Sequence, residues 1–206
     1  AGNDNLGQEA FEQLVGTGID LSYMQRNALP TGRVNVTLSG KGIPEYDIVE
    51  GVAWDALEAD AETLGLATQA DAVCWGSLAQ RSEVSRKAIA AILRATRPEC
   101  LKVFDINIRQ HWYNREIVTA SLRQADVLQL NEDELPLIAS LLDIGKSGTE
   151  VIAELIRMFS LRYVIYTAGA DHSEIHSAEG LLSHIPTPKV EVAYTVGAGD
   201  SFTAAF

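Results

Sequence analysis

The sequence predicts an α/β domain in which a mostly parallel sheet is flanked by helices. Four short, continuously apolar runs suit strands that are buried on both faces of a parallel sheet. Segments with helical spacing separate these runs, and such alternation is typical of layered α/β domains. The predicted strands are residues 72–75, 101–104, 127–130 and 163–166, and the predicted helices lie around residues 84–95, 115–124, 133–142 and 149–159.

Three further features are predicted outside this alternating region. Residues 6–15 carry apolar side chains at helical spacing and are followed by Gly16, which predicts a helix. Residues 34–38 and 46–49 are short β-branched runs on either side of Gly40-Lys41-Gly42, which predicts a β-hairpin. Residues 181–185 and 190–192 are expected to be later strands, with antiparallel pairing as one option.

The composition argues against two classes of partner. The 206 residues carry a formal net charge of −12, whereas proteins that bind nucleic acid or anionic membranes need a basic surface. No apolar run approaches the length of a transmembrane helix. Cys74 and Cys100 lie in apolar segments, so we expect buried, reduced thiols. These observations predict a soluble, cytoplasmic protein with one domain and a small appendage.

The last segment predicts an anion site at the start of a helix. Thr195-Val196-Gly197-Ala198-Gly199-Asp200 is followed by a run of small and apolar residues. Glycines let backbone N–H groups approach a ligand closely, and a helix N-terminus directs its N–H groups and positive dipole end to the same place. Asp200 would then be a general base beside a phosphoryl group. A glycine-rich turn that merely caps a buried helix remains the alternative.

Polar residues follow three of the predicted strands directly. Ligands of parallel α/β sheets bind beyond the carboxyl ends of the strands, so these residues are expected at one edge. They are Asp105, Asn107 and Arg109 after the second strand, Asn131 and Glu134 after the third, and Thr167 and Gly169 after the fourth. A structural explanation is open for each group: Asn131 and Glu134 could form a capping box, and Arg109 could be a surface cation.

Other patterns have less support. Gly145-Lys146-Ser147 imitates the end of a P-loop, but the required first glycine would fall at Ser140. His172 and His176 could face one side of a strand, but the sequence shows no evident third metal ligand, so a structural or solvated role is expected. The tryptophans are expected to pack in the core or in the predicted hairpin.

The ordered set of motifs resembles the ribokinase-like (PfkB) carbohydrate kinases along the whole chain. The segment from Gly197 resembles the C-terminal signature of that family, and Pro30-Thr31-Gly32 resembles the start of its lid. Gly2-Asn3-Asp4-Asn5-Leu6-Gly7 matches the family's Gly-x-Asp-x-x-Gly, and residues 105–109 match Asp-x-Asn-x-Arg. Residues 131–134 match Asn-x-x-Glu, and Thr167-Ala168-Gly169-Ala170 resembles a Thr-x-Gly turn. Ala53-Trp54-Asp55 and Pro44-Glu45-Tyr46 look most like bacterial fructokinases.

The resemblance implies a ribokinase-like fold and ATP-dependent phosphorylation of a sugar hydroxyl, with fructose as the expected sugar and Mg²⁺ as the cofactor. Residues 1–30 and 51–206 would form the kinase domain, and the hairpin at 31–50 would be a lid that could also form a homodimer contact. The resemblance implies that Asp200 is the general base and that the N–H groups of Gly197, Ala198, Gly199 and Asp200 bind the transferring phosphate. It implies that Asn107 and Arg109 bind the sugar and phosphate, and that Asn131, Thr167 and Gly169 lie on the nucleotide side. Glu134 would bind Mg²⁺ through water, together with Asn131.

Three departures from the family pattern bear on this interpretation. Tyr194 stands where the family usually has an acid, and Asp171-His172 stands where it usually has a second glycine. The family's first strands would precede Ala1 and its last helices would follow Phe206, so we expect a fragment that is not a competent kinase by itself. The alternatives are a relative that acts on ribose, a nucleoside, ketodeoxygluconate or a sugar phosphate, or a non-catalytic paralogue that binds a sugar or a partner chain.

Overall fold

The computed structural model describes residues 1–38, 44–190 and 197–206, and these fall into two compact units. One unit comprises Ala1–Gln69 and Ala79–Arg97, and the other comprises Ala70–Leu78 and Pro98–Phe206. Gly40-Lys41-Gly42, residues 191 and 192 of the last predicted strand, and Tyr194 to Val196 lie outside the described residues. Within the described ranges, no helix is both long and apolar enough to cross a membrane.

The first unit contains three helices and a separate β-hairpin. The helices are α1 (Asn5–Leu14), α2 (Ala61–Ala67) and α3 (Glu83–Ala95), and the hairpin pairs β1 (Val34–Leu38) with β2 (Pro44–Ile48) in antiparallel register. The predicted helix at 6–15 and hairpin at 34–49 are thus confirmed within one or two residues. The role of the hairpin as a lid stays a prediction.

Asp4 joins the start of α1 to the segment that leads into the hairpin. One of its carboxylate oxygens accepts hydrogen bonds from the backbone N–H of Gly7 at 2.8 Å and from the Thr31 hydroxyl at 2.6 Å, and the other accepts from the Thr31 N–H at 2.8 Å. The bonds from Thr31, together with that from Gly7, lower the pKa of Asp4 to about 2. Two of the sequence motifs, around Asp4 and around Thr31, are therefore parts of one hydrogen-bonded corner.

A second polar link in this unit connects Asp55 to Arg81. The guanidinium donates to both carboxylate oxygens at 2.8 Å, and the Arg81 side chain is only 4% exposed. Its guanidinium carbon lies 5.6 Å from the centre of the Trp54 ring. A Cβ on Gly32 would lie 2.0 Å from that ring, so only glycine fits against it. Trp54 therefore packs between Arg81 and Gly32, which agrees with the expected packing role.

The second unit is built on a six-stranded sheet with the order β3-β4-β5-β6-β7-β8. Its strands are β3 (Ala72–Trp75), β4 (Leu101–Asp105), β5 (Val127–Asn131), β6 (Tyr163–Ala168), β7 (His172–Ser177) and β8 (Gly180–Pro186). The strands β3 to β6 pair in parallel, whereas β7 pairs antiparallel with both β6 and β8. Its helices are α4 (Arg115–Leu122), α5 (Glu134–Leu141), α6 (Thr149–Phe159) and α7 (Ala198–Ala205).

The four parallel strands and the helices α4 to α6 confirm the predicted alternation, and the central strands are buried on both faces. Val127 and Leu128 are adjacent on β5, point to opposite faces, and are both fully buried. Cys100 is buried as expected, but the expectation for Cys74 was wrong: it is exposed. Cys74 lies on β3, which ends the described strand order and therefore has only one neighbouring strand.

The strand β7 was not predicted. Its inward-facing positions are occupied by polar side chains, among them Glu174 and His176, instead of the apolar residues that signal a buried strand. It pairs with β8, whose predicted extent of 181–185 is close to the observed Gly180–Pro186.

Candidate active site

The strand register aligns polar residues at the carboxyl ends of the parallel strands. Asp105 pairs with Gln129 and Gln129 with Ile165, so these three share one row on one face of the sheet. Asn131 and Thr167 form the next row on that face. Two of the predicted strand-end residues are thereby neighbours, and Asp105 heads the loop that carries Asn107 and Arg109.

The helix α7 lies on the same face of the sheet. Phe202 packs against the buried cluster of Val103, Val127 and Ile165. Two hydrogen bonds anchor the helix next to this apolar contact. The Thr203 hydroxyl donates to Asp105 at 2.9 Å, and the Gln129 side chain donates to the Gly199 carbonyl at 3.2 Å. The first turn of α7 is therefore held over the ends of β4 and β5.

Gln129 and Thr203 were not predicted from the sequence, and Asp105 was predicted only as part of the group with Asn107 and Arg109. All three position this turn. The sequence carries one usable signal for Gln129, a polar residue within an otherwise apolar strand. Gln129 is 3% exposed, and its side-chain oxygen is one of the buried polar atoms in the described structure for which no hydrogen-bond partner is found.

The first turn of α7 has the geometry of an anion site. Gly197 has φ of +81°, a left-handed conformation that favours glycine, and it precedes the helix directly. The N–H of Ser201 makes the first intrahelical bond, to the Gly197 carbonyl at 2.9 Å. The N–H groups before it, on Ala198, Gly199 and Asp200, belong to the first turn, whose donors have no acceptor within a helix. Ala198, Gly199 and Asp200 are exposed, and among the described residues no atom lies within 4 Å of a Cβ placed on Gly199, so this side is open.

Glu134 is buried and holds two backbone segments together. One carboxylate oxygen accepts from the N–H of Ile108 at 2.7 Å, and the other accepts from the N–H of Asn131 at 2.9 Å. In turn, the side-chain oxygen of Asn131 accepts a hydrogen bond from the N–H of Glu134 at 2.9 Å. This reciprocal pattern is that of a capping box, so the structural alternative raised from the sequence is realised in these bonds.

These bonds bear on whether Glu134 fits the Mg²⁺ implied by the family. Mg²⁺ prefers hard oxygen donors and keeps several of its waters. Each Glu134 oxygen accepts one N–H and retains a second lone pair. The residue therefore fits as an acceptor for a magnesium-bound water better than as a direct ligand.

The loop after β4 brings opposite charges together. Asn107 and Gln110 have φ of +43° and +49°, which turns the chain sharply around Arg109. Burial raises the pKa of Asp105, and the charge of Asp200 raises it further, while the Thr203 hydrogen bond and Arg109 lower it. Burial also raises the pKa of Glu134, and Arg109 opposes that shift. Asp200 and Arg109 thus lie within electrostatic range of Asp105, and Arg109 and Asp105 lie within electrostatic range of Glu134.

Thr167 and Gly169 form a turn beside the end of β5. The Thr167 carbonyl accepts from the N–H of Glu132 at 3.0 Å. Gly169 has φ of +47°, and a Cβ there would lie 3.1 Å from a Glu132 carboxylate oxygen. The Thr187 hydroxyl donates to the Gly169 carbonyl at 3.0 Å. The described contacts join these residues to Glu132 and Thr187, and the strand register joins Thr167 to Asn131.

Curated relatives of this chain are sugar kinases. A fructokinase of Klebsiella pneumoniae is 31% identical over 211 residues, which cover 98% of this chain and 66% of that protein. A sugar kinase of Pyrococcus horikoshii is 24% identical over 99% of this chain and 63% of its own length, and an aminoimidazole riboside kinase of Salmonella typhimurium is 26% identical over 98% and 63%. The chain thus spans just under two thirds of the length of these relatives.

Solved structures agree on the fold. A fructokinase of Xylella fastidiosa with bound ATP superposes with a TM-score of 0.86 at 17% identity, over 98% of this chain and 63% of that one. A ribokinase II of E. coli in complex with ATP and Mg²⁺ superposes at 0.80 with 21% identity, over 100% and 66%. These neighbours establish a ribokinase-like fold. A family profile described as pfkB family carbohydrate kinase matches residues 1–206, and the chain therefore belongs to the pfkB carbohydrate kinase family.

Proposed function

We propose that the protein transfers the γ-phosphoryl group of ATP to a hydroxyl of a sugar. The observation that carries this proposal is the first turn of α7, an open N-terminal turn with an acid in it, tied to the strand ends by Thr203 and Gln129. Phosphoryl transfer needs positioning and charge stabilisation more than covalent chemistry, and such a turn supplies both. Membership of a carbohydrate kinase family supports the same activity.

Asp200 is the proposed general base. It is exposed in the first turn of α7, where it could accept the proton of a sugar hydroxyl as that oxygen attacks. The N–H groups of Gly197, Ala198, Gly199 and Asp200 would hold the transferring phosphate. Preorganised donors of this kind are worth about 3 kcal/mol each when one is removed from a catalytic site.

The neighbouring strand ends would bind the rest of the substrates. Asn107 and Arg109 would contact the sugar and its phosphate, since a guanidinium can bind two oxygens at once. Asn131, Thr167 and Gly169 would line the nucleotide side. When bound, Mg²⁺ would neutralise charge on the phosphates; Glu134 and Asn131 would accept hydrogen bonds from its waters. The E. coli neighbour, which is in complex with ATP and Mg²⁺, supports ATP with Mg²⁺ as the phosphoryl donor.

Fructose is the proposed sugar, because the fructokinase of K. pneumoniae is among the more similar relatives at 31% identity. Aminoimidazole riboside kinase at 26% and 5-dehydro-2-deoxygluconokinase at 28% over 144 residues make a riboside and a ketodeoxy sugar acid the other candidates. We also propose a cytoplasmic protein whose hairpin at 31–50 acts as a lid and contacts a second copy.

A coupled ADP-release screen with the intact protein tests the activity and the sugar together. Fructose, ribose, adenosine, ketodeoxygluconate and fructose phosphates would each be offered with MgATP. We expect turnover with fructose and a loss of about 10²–10⁴ in kcat for Asp200→Asn, with nucleotide binding retained. Asp143→Asn is the control, because Asp143 is an exposed carboxylate that pairs with Arg115. No sugar-dependent ADP release would refute the activity, and more than about a tenth of wild-type kcat in Asp200→Asn would refute the base.

A further inference from the structure

The geometry points to a second site in this unit: we propose that His172, Glu174 and His184 bind a divalent transition metal of the Zn²⁺ class. Three of the four histidines of the chain, His172, His176 and His184, surround the Glu174 carboxylate. The sequence shows no evident third ligand beside His172 and His176, which favours a structural or solvated role. The pairing of β7 with β8 brings His184 opposite Glu174 and so supplies a candidate third ligand.

The register places this cluster on the sheet face opposite α7. Ile165 packs with the α7 side chain Phe202, so Tyr166, the next residue on β6, points to the other face. Tyr166 pairs with Glu174 and Glu174 with His184, so these three share that opposite face. The cluster is therefore separate from the proposed phosphoryl-transfer site.

The ligand atoms already have the spacing of a metal site. Nδ1 of His184 lies 3.0 Å from Oε1 of Glu174, and Nε2 of His172 lies 3.5 Å from the same oxygen. The three ligand atoms all lie within 4.8 Å of one another. Two ligands of a tetrahedral ion with bonds of about 2.0–2.1 Å are about 3.3 Å apart, so small shifts would admit the ion.

The second atoms of two ligands are held by neighbours, as in protein metal sites. Nδ1 of His172 lies 3.0 Å from the Asp171 carboxylate, which leaves Nε2 directed to Glu174. Nε2 of His176 lies 2.7 Å from Oε2 of Glu174, which leaves Oε1 for the ion. Such outer partners fix the ring orientation and typically change metal affinity by about 10–100-fold.

Burial and charge fit a cation. The side chains of Glu174 and His176 are 11% and 9% exposed, whereas that of His184 is 45% exposed and provides access from solvent. The two carboxylate oxygens of Glu174 face ring nitrogens of His172, His176 and His184. Two imidazoles and one carboxylate form a donor set that suits Zn²⁺, Co²⁺ or Ni²⁺ better than Mg²⁺ or Ca²⁺.

Titration of the intact, nucleotide-free protein with Co²⁺, followed by displacement with Zn²⁺, tests the site. We expect one Co²⁺ per chain, a visible absorption band that signals tetrahedral coordination, its loss on adding Zn²⁺, and no displacement by excess Mg²⁺. His184→Ala and His172→Ala should each weaken binding at least tenfold. His111→Ala is the control, because His111 is the fourth histidine, is exposed, and does not contact the Glu174 cluster.

Two results would overturn the proposal. The first is the absence of Co²⁺ uptake and of any Zn²⁺-dependent rise in melting temperature, which would make the cluster a purely hydrogen-bonded one. The second is equal loss of binding in His111→Ala, or undiminished binding in both cluster variants, either of which would place the ion elsewhere. Metal-free melts of all variants establish that each is folded before metal is added.

Discussion

Replacing Glu134 with glutamine distinguishes the structural contribution of this residue from its proposed metal role. In the wild type both carboxylate oxygens accept backbone N–H bonds, from Ile108 and from Asn131. A carboxamide has only one oxygen, and its NH₂ group would face the second N–H as donor against donor. Glu134→Gln should therefore loosen the contact between the loop after β4 and the start of α5.

The expected cost follows from those two bonds. One buried N–H without an acceptor costs about 1–3 kcal/mol. Burial raises the pKa of Glu134 because it disfavours the charged carboxylate, and the uncharged amide avoids that penalty. The loss of folding free energy at pH 7 should therefore lie near the lower end of this range. For a protein of this size about 1 kcal/mol corresponds to a melting temperature lower by about 2–4 °C.

The raised pKa also fixes the direction of the pH dependence. A carboxyl group whose folded pKa lies above its unfolded value of 4.5 contributes most stability below that value, and the contribution is lost as the pH rises through the folded pKa. The wild type should gain relative to Glu134→Gln as the pH falls from neutral towards 4.5. The difference in melting temperature between the two proteins should therefore widen over this range.

Thermal melts at both ends of this pH range measure the effect, and Glu116→Gln is the matched control. Glu116 is also an acid in the first turn of a helix, but it is exposed. Equal melting temperatures of wild type and Glu134→Gln at both pH values would refute the reasoning from the buried bonds.

The same variant should need more Mg²⁺ for sugar-dependent turnover. A lower melting temperature with an unchanged Mg²⁺ optimum would refute the metal role and leave the capping bonds as the function of Glu134.

Two further predictions concern the first unit. Gly7→Ala should destabilise by about 1–3 kcal/mol, because the new Cβ would lie 2.2 Å from the Gly2 carbonyl oxygen. Gly65→Ala, in α2 with nothing within 4 Å, should instead stabilise by about 0.5–1 kcal/mol; denaturant melts that show the same sign for both would contradict this. Amide exchange in the hairpin at 31–50 should slow when the sugar binds, and equal protection with and without sugar would exclude a ligand-gated lid.

The sequence predicted the parallel part of the fold because each of those strands is a short apolar run. It failed at β7, where Glu174 and the histidines satisfy one another and so need no apolar signal. Asp200 and the glycines before it could be proposed as site residues from local spacing. The anchoring of their helix could not, because the bond from Gln129 to Gly199 spans 70 residues and that from Thr203 to Asp105 spans 98.

The charges around α7 indicate what kind of phosphate the proposed site would accept. Asp200 and Arg109 lie close enough to Asp105 to shift its pKa, and Asp105 and Arg109 lie close enough to Glu134 to shift its pKa, so the described residues place three carboxylates around the Arg109 region. A free polyphosphate would meet net repulsion there, even with the helix N-terminus directed at it. A phosphate that arrives with its own divalent cation would not, since the cation balances the carboxylates while the backbone N–H groups bind the oxygens. Nucleotide affinity of the intact protein should therefore rise when Mg²⁺ is present, and Asp200→Asn should reduce the difference between the affinities measured with and without the ion.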